Sequence, residues 1–295
     1  MPLREEFRWR NFGLTHFRKD VFFSSQWYWP PIFFITYRFI VAGYIVGWLM
    51  YVAASFKEVQ GQSFNLYAWP VYLTNWSYFV LSAHLLVALV VACIHTAEQG
   101  NHCCRREHVL EIEESDMTDR DYDDFTPNMT STEAEDEEVL IRQPQSLPWY
   151  MKMSWILLNV SAVAAILVSI VYWGALYPQM SKASADIGFI IDFNLHAVNS
   201  IVILLEMFIC AIPIRLMHFI YPMVYGFAYV VFSLIFWAYD NSRVIYPKVL
   251  DWNHPGITAI VIVVIAFVGL PLFQLFLYGL YRLRVCIFRA IYRQR

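Results

Sequence analysis

The chain has 295 residues, of which 59% are hydrophobic, 18% aromatic and only 15% charged, with a formal net charge of −3. Soluble domains carry about a quarter charged residues, so this composition excludes a water-soluble globular protein, and no nucleic-acid partner is expected. It implies an all-α fold, a polytopic membrane bundle whose first partners are membrane lipids.

In chain order, residues 1–31 form a basic segment with Arg4, Arg8, Arg10, Arg18 and Lys19, and nothing in it resembles a cleavable signal peptide. Apolar stretches of bilayer-spanning length follow at 32–55, 71–95, 154–176, 187–210, 216–238 and 257–281. They predict six transmembrane helices within a domain covering 32–281, and residues 282–295 close the chain as a basic tail. Of the 21 Lys and Arg, sixteen fall at the termini and in the connections on the same side, four on the other side, and Arg38 inside a span. Positive connections stay cytoplasmic, so both termini are expected in the cytoplasm.

The first span contains Arg38, and the second opens with WPVYLTNWSY, which puts Thr74 near its outer end and His84 near its middle. His84 has no evident acid beside it. Cys103 and Cys104 follow this span, either as candidates for S-palmitoylation or as unmodified loop cysteines. With His95 and His102 they match no usual zinc spacing, so no metal site and no cofactor are expected. Residues 105–148, with 14 carboxylates between Glu107 and Glu138, interrupt the domain as an acidic, disordered cytoplasmic loop that could receive a cytoplasmic protein partner.

The fourth span, IGFIIDFNLHAVNSIVILLEMFIC, is the most informative segment. Asp192, His196, Asn199 and Glu206 are spaced by four, three and seven residues, so they form one polar stripe on a helix. An aspartate at the centre of a membrane helix costs about 2.5–3.5 kcal/mol, so such a stripe should face other helices and mark a function. Glu206 and Arg38 fall at similar depth with opposite charge, which predicts a structural ion pair, with separate snorkelling as the alternative. Thr74 falls at the depth of Asp192 and His196. A hydroxyl beside an imidazole, with a carboxylate or amide fixing the ring, is the logic of acyl transfer. Thr74, His196, Asp192 and Asn199 are therefore the candidate catalytic set; a capping threonine and a hydrogen-bonded packing histidine are the plain alternative.

The fifth span carries Tyr221, Tyr225 and Tyr229 at steps of four, an aromatic lining whose hydroxyls could bond the polar stripe of span four or simply form a packing seam. Pro222 and Pro271 are expected to bend spans five and six.

Several segments together resemble the rolling stone family of multipass membrane proteins: SSQW at 24–27, YLTNWSY at 72–78, NLHAVNS at 194–200, RLMHFIYP at 215–222 and YPKVLDW at 246–252. That resemblance implies a cell-surface protein associated with myoblast fusion in insects. A weaker similarity runs to the androgen-induced protein and androgen-dependent TFPI-regulating protein family. It is carried by Tyr72-Leu73-Thr74, His196 ten residues before Glu206, His218 with Tyr221-Pro222, and Tyr246-Pro247. It implies hydrolysis of fatty acid esters of hydroxy fatty acids, with Thr74 as nucleophile and His196 as base. Those relatives carry a second histidine where this chain has Phe193, and apolar residues where it has Asn75-Trp76.

Two readings follow: an intramembrane threonine hydrolase of lipid esters drawn from the outer leaflet, or a non-catalytic cell-surface protein of cell fusion or adhesion. The plasma membrane is the expected location, with the endoplasmic reticulum as the alternative.

Overall fold

The computed structural model describes residues 6–59, 70–99, 145–179, 187–242, 244–246 and 249–292. Cys103, Cys104 and the acidic residues 107–138 lie outside the described residues. Six helices are long and apolar enough to cross a membrane. In chain order they are α1 (Pro31–Val59), α2 (Leu73–Gln99), α3 (Trp149–Val171), α4 with α5 (Ile187–Phe193 and Asn199–Ile209), α6 (Ile220–Tyr239) and α7 with α8 (Pro255–Val264 and Leu270–Tyr292). They leave many large apolar side chains exposed, among them Phe39, Phe79, Phe227 and Phe267, and turn most of their polar ones inward. The most enclosed is α3, which touches α2, α5, α6 and α8. It is rich in small residues along its buried face: Ser154, Ser161, Ala162 and Ala165 are all inaccessible, and they let neighbouring helices come close.

Three π turns interrupt the spans, at Tyr172–Leu176, Asn194–Val198 and Ile265–Gly269. The last has a local cause. Pro271 lacks an N–H and its ring crowds the carbonyl four residues back, so the helix widens just before it. Pro222 behaves differently from expectation. It lies in the first turn of α6, where a missing N–H costs nothing, and α6 continues unbroken from Ile220 to Tyr239.

Residues 6–29 pack across the end of the bundle that also holds the C-terminal part of α8. There Tyr292 donates its hydroxyl proton to the Trp27 carbonyl at 3.3 Å. β1 (Thr15–His16) pairs antiparallel with β2 (Gln145–Ser146), the only two-stranded sheet among the described residues, so ordered structure begins before residue 148. Backbone groups do most of the joining. Gln26 N–H donates to the Ile209 carbonyl at 2.9 Å, Ala211 N–H to Ser24 at 3.2 Å, and the Trp27 indole N–H to Phe208 at 2.7 Å. These bonds satisfy groups freed where α5 ends.

Two arginines anchor this end. Arg284 of α8 is 1% exposed; its guanidinium donates to the carbonyls of Met207 at 2.6 Å and Ile212 at 3.0 Å, and also to those of Cys210 and Ala211. It caps the C-terminus of α5, where carbonyl dipoles favour a cation. Arg38 of α1 places Nη1 3.1 Å from Glu206 Oε2 and donates from Nη2 to Cys210 Sγ at 3.0 Å, while its guanidinium carbon lies 4.8 Å from the Phe34 ring centroid. Both partners of the ion pair are sealed from solvent.

Two stability outcomes follow. Arg284→Ala leaves the last carbonyls of α5 buried without donors; thermal unfolding in detergent should show a loss on the order of 3 kcal/mol or more. Arg38→Met leaves Glu206 as an unpaired buried carboxylate and should cost about 3–5 kcal/mol, whereas Arg38→Met combined with Glu206→Leu should recover most of that loss. A double mutant as unstable as Arg38→Met alone would show that the pair is not the source of the effect.

Candidate functional site

Two contacts fix how the second and fourth spans lie against each other. Asn199 Nδ2 donates to Ser77 Oγ at 3.3 Å, and His84 Nε2 stands 3.7 Å from Glu206 Oε2. Both pairs are separated by 122 positions, so the helices run parallel in one constant register. Along α2 the seam is Thr74, Ser77, Leu81 and His84, and along the facing span it is His196, Asn199, Ile203 and Glu206. Both series advance by three, four and three residues, the spacing of a coiled-coil seam, and every member is buried. One turn beyond the Ser77–Asn199 bond α2 touches the π turn that holds His196, and Thr74 is the seam residue at that end of α2. Thr74 and His196 are each 8% exposed, more than the sealed Ser77 and Asn199 below them.

His84, which the sequence leaves without an acid, has Glu206 beside it. The parallel register supplies that acid, and it could not be read from span two alone.

His196 lies inside the π turn of span four and stacks flat on Tyr172, the first residue of the π turn in span three. Their ring centroids are 3.5 Å apart and their planes differ by 4°. A π turn shifts the backbone bond from i+4 to i+5 and frees carbonyls. The His196 carbonyl accepts a hydrogen bond from Ser169, whose hydroxyl also lies 2.6 Å from that of Ser200. The imidazole Nδ1 is buried with no hydrogen-bond partner among the described residues.

The two groups expected to orient this ring are engaged elsewhere. Asp192 is half-buried and hydrogen-bonds to Tyr172, so it bears on His196 only through the stacked phenol. Asn199 gives its amide proton to Ser77, and its Oδ1 has no partner among the described residues. The ring of His196 is thus held by stacking on Tyr172. The neighbouring Asn194 accepts a hydrogen bond from the Tyr44 hydroxyl and donates to the Ile190 carbonyl at 2.9 Å.

Thr74 stands in the first turn of α2, inside a group of aromatic hydroxyls. The Leu73 N–H donates to the Tyr246 hydroxyl at 2.9 Å, and the Thr74 and Tyr229 hydroxyls lie close to it. The Tyr229 hydroxyl donates to the Val71 carbonyl at 2.8 Å. Tyr225 and Tyr229 pack on the Trp76 ring at 6.4 and 5.4 Å, and the Tyr225 hydroxyl finds no partner among the described residues. Tyr221 lies at the opposite end of α6 and donates to the Phe12 carbonyl at 2.9 Å. The tyrosine stripe therefore bonds the start of α2 and the N-terminal segment, not the polar stripe of span four. The reason is that α6 leans on α3 rather than on α5.

Sequence reasoning missed Tyr172, Ser77 and Tyr246. Ser77 could have been found, because the three-four-three spacing is present in both spans. Tyr172 could not, since nothing in an apolar run announces a π turn. No group of three or more His, Cys, Asp or Glu that could hold a metal occurs among the described residues.

The profile of the family described as "Protein rolling stone" matches residues 144–293. The protein rolling stone of Drosophila melanogaster is 26% identical over 295 residues, covering 97% of this chain and 91% of its own length. No solved structure matches the chain. The match takes in the His196 segment, α6 and the anchoring α8, and with six apolar helices it makes the chain a multipass membrane protein that belongs to the rolling stone family.

Proposed function

We propose that the protein hydrolyses lipid esters within the membrane, with Thr74 as nucleophile and His196 as general base. The observation that supports this reading is the parallel packing of the second and fourth spans, with Thr74 at the end of the seam where α2 meets the π turn of His196, whose Nδ1 is buried without a partner among the described residues. Two further features support it. His196 and Tyr172 both belong to π turns, which recur at functional sites in helices. Thr74 and His196 are also the more accessible members of the seam.

The chemistry needs no cofactor. His196 takes the proton of the Thr74 hydroxyl as Oγ bonds to the ester carbonyl carbon. The bond to the leaving alkoxide then breaks, and the alkoxide takes the proton back from the imidazole. Water attacks the acyl-threonine with His196 again as base, which releases a fatty acid and restores the hydroxyl. Stacking on Tyr172, itself bonded to Asp192, keeps the ring from rotating. By the positive-inside count this half of the bundle faces the outer leaflet of the plasma membrane. An ester with long acyl chains would reach the site sideways from there.

The test is labelling of detergent-purified protein with a fluorophosphonate, comparing the wild type with Thr74→Ala and His196→Ala of matched thermal midpoint. Thr74→Ala should abolish labelling, and His196→Ala should slow it by about 100-fold or more. Labelling of Thr74→Ala at the wild-type rate, or none of the wild type, would falsify the hydrolase and turn attention to a non-catalytic role in cell fusion.

A further inference from the structure

Residues 6–12 carry their polar and apolar side chains the wrong way round for a segment in water. Glu6 and Asn11 are each 7% exposed, whereas Phe7 is 58% and Trp9 87% exposed. The inward groups are bonded: Tyr278 donates to Glu6 Oε1 at 3.4 Å, and Asn11 Nδ2 donates to the Glu6 carbonyl at 3.2 Å. At the far end the Phe12 carbonyl accepts from Tyr221 at 2.9 Å and the Gly13 carbonyl from Arg215 at 3.0 Å, so α8 holds the start of the segment and the beginning of α6 its end. On the outside the Trp9 ring stacks on that of Phe12, with centroids 5.4 Å apart.

The level of this segment in the bilayer follows from the third span. Trp149 in its first turn and Tyr177 just beyond its π turn are both exposed. Along the helical rise they are about 40 Å apart, the thickness of a bilayer with its headgroup regions, and amphipathic aromatic rings settle at those two interfaces. Thr15 pairs with Ser146 and His16 with Gln145, just before Trp149, which holds the N-terminal segment at the headgroup level. Val224 on α6 and Leu275 on α8 are exposed one turn from Tyr221 and Tyr278, the residues that bond the segment, so its rings continue a surface that already faces lipid. Arg8 stands between the two exposed aromatics in sequence, and Arg282, exposed on α8, donates to the Tyr278 hydroxyl at 3.2 Å. Both bring positive charge to the level of lipid phosphates.

We propose that residues 6–12 form an in-plane membrane anchor whose partner is the phospholipid surface, with the Phe7 and Trp9 rings in the headgroup region of the leaflet at this end of the bundle. The rings lie about 5–10 Å into the boundary between headgroups and acyl chains, as in other in-plane segments. Two such rings offer at most about 500 Å², less than the roughly 800 Å² per partner of a stable protein interface, so lipid suits them better than a second protein. By the positive-inside count the leaflet is the cytoplasmic one. The anchor ties that leaflet to the start of α6, at the end of the bundle away from Thr74 and His196.

The test uses the full-length chain in vesicles of phosphatidylcholine and phosphatidylglycerol, with an acetylnaphthyl fluorescent amino acid in place of Trp9 and, in a second variant, of Phe7. Both positions are exposed, and an unchanged thermal midpoint checks each fold. Lipids carrying a nitroxide at the headgroup or deep in the acyl chain report depth, and iodide reports water. The headgroup nitroxide should quench both variants most and the deep one less, while iodide should quench at least about fivefold less than it quenches the free fluorophore. Iodide quenching equal to that of the free fluorophore puts the segment in water and overturns the anchor. Strongest quenching by the deep nitroxide overturns the in-plane placement. Weak quenching by all three puts protein over the rings and overturns the lipid partner.

Discussion

A carboxylate buried in hydrocarbon must be neutralised, and Glu206 meets that demand through Arg38. The consequences reach most of the bundle. Arg38 comes from α1, Glu206 and Cys210 from the end of the fourth span, and His84 from α2, so one charge pair ties three spans at a single level. Cys210 Sγ lies 3.0 Å from both the carboxylate and the guanidinium and closes the ring of contacts. The pair also determines phase. With Glu206 held beside His84, the parallel seam has one register up to Ser77 and Asn199, and beyond them α2 meets the π turn that holds His196.

The two ends of the bundle differ in how they are built. At the end where residues 6–29 meet α8, Arg284 and the N-terminal segment satisfy the backbone groups left where α5 stops, and the ion pair lies just inside. At the other end the helices are irregular, with a π turn in each of the third and fourth spans and a half-buried Asp192. Irregular backbone survives at membrane depth only where side chains satisfy what it frees, and Ser169 and Ser200 do that here. The regular end holds the buried ion pair and the arginine cap, and the irregular end carries the candidate site.

What the sequence revealed divides along physical lines. Spans were legible because lipid demands long apolar runs, and Arg38 with Glu206 because two opposite charges at one depth are expensive apart. The acid beside His84 was not legible: it required knowing that the second and fourth spans are neighbours in parallel, a property of packing. The tyrosine stripe misled because equal spacing defines a face and says nothing about which helix the face meets. Residues 6–29 were opaque for another reason, since much of their attachment uses backbone groups that every sequence has. Tyr246 lay in a connection, and only the folded frame of Trp237, Trp252 and Asn253 brings it to α2.

The same division explains why the candidate site is assembled from one member on each of several elements. Thr74 starts a helix, His196 interrupts one, Tyr172 ends one and Tyr246 belongs to none. Each position has backbone groups outside the regular helical ladder, so the side chains there can be held by stacking or by stray N–H and carbonyl groups. In the middle of a lipid-facing helix every backbone group is already satisfied, and side-chain direction is set by packing alone. A hydroxyl and an imidazole that must meet at a defined distance are better placed at such breaks, where hydrogen bonds add direction to packing. The cost of those breaks is met at the opposite end, by the charge pair and the arginine cap that keep the four spans from sliding.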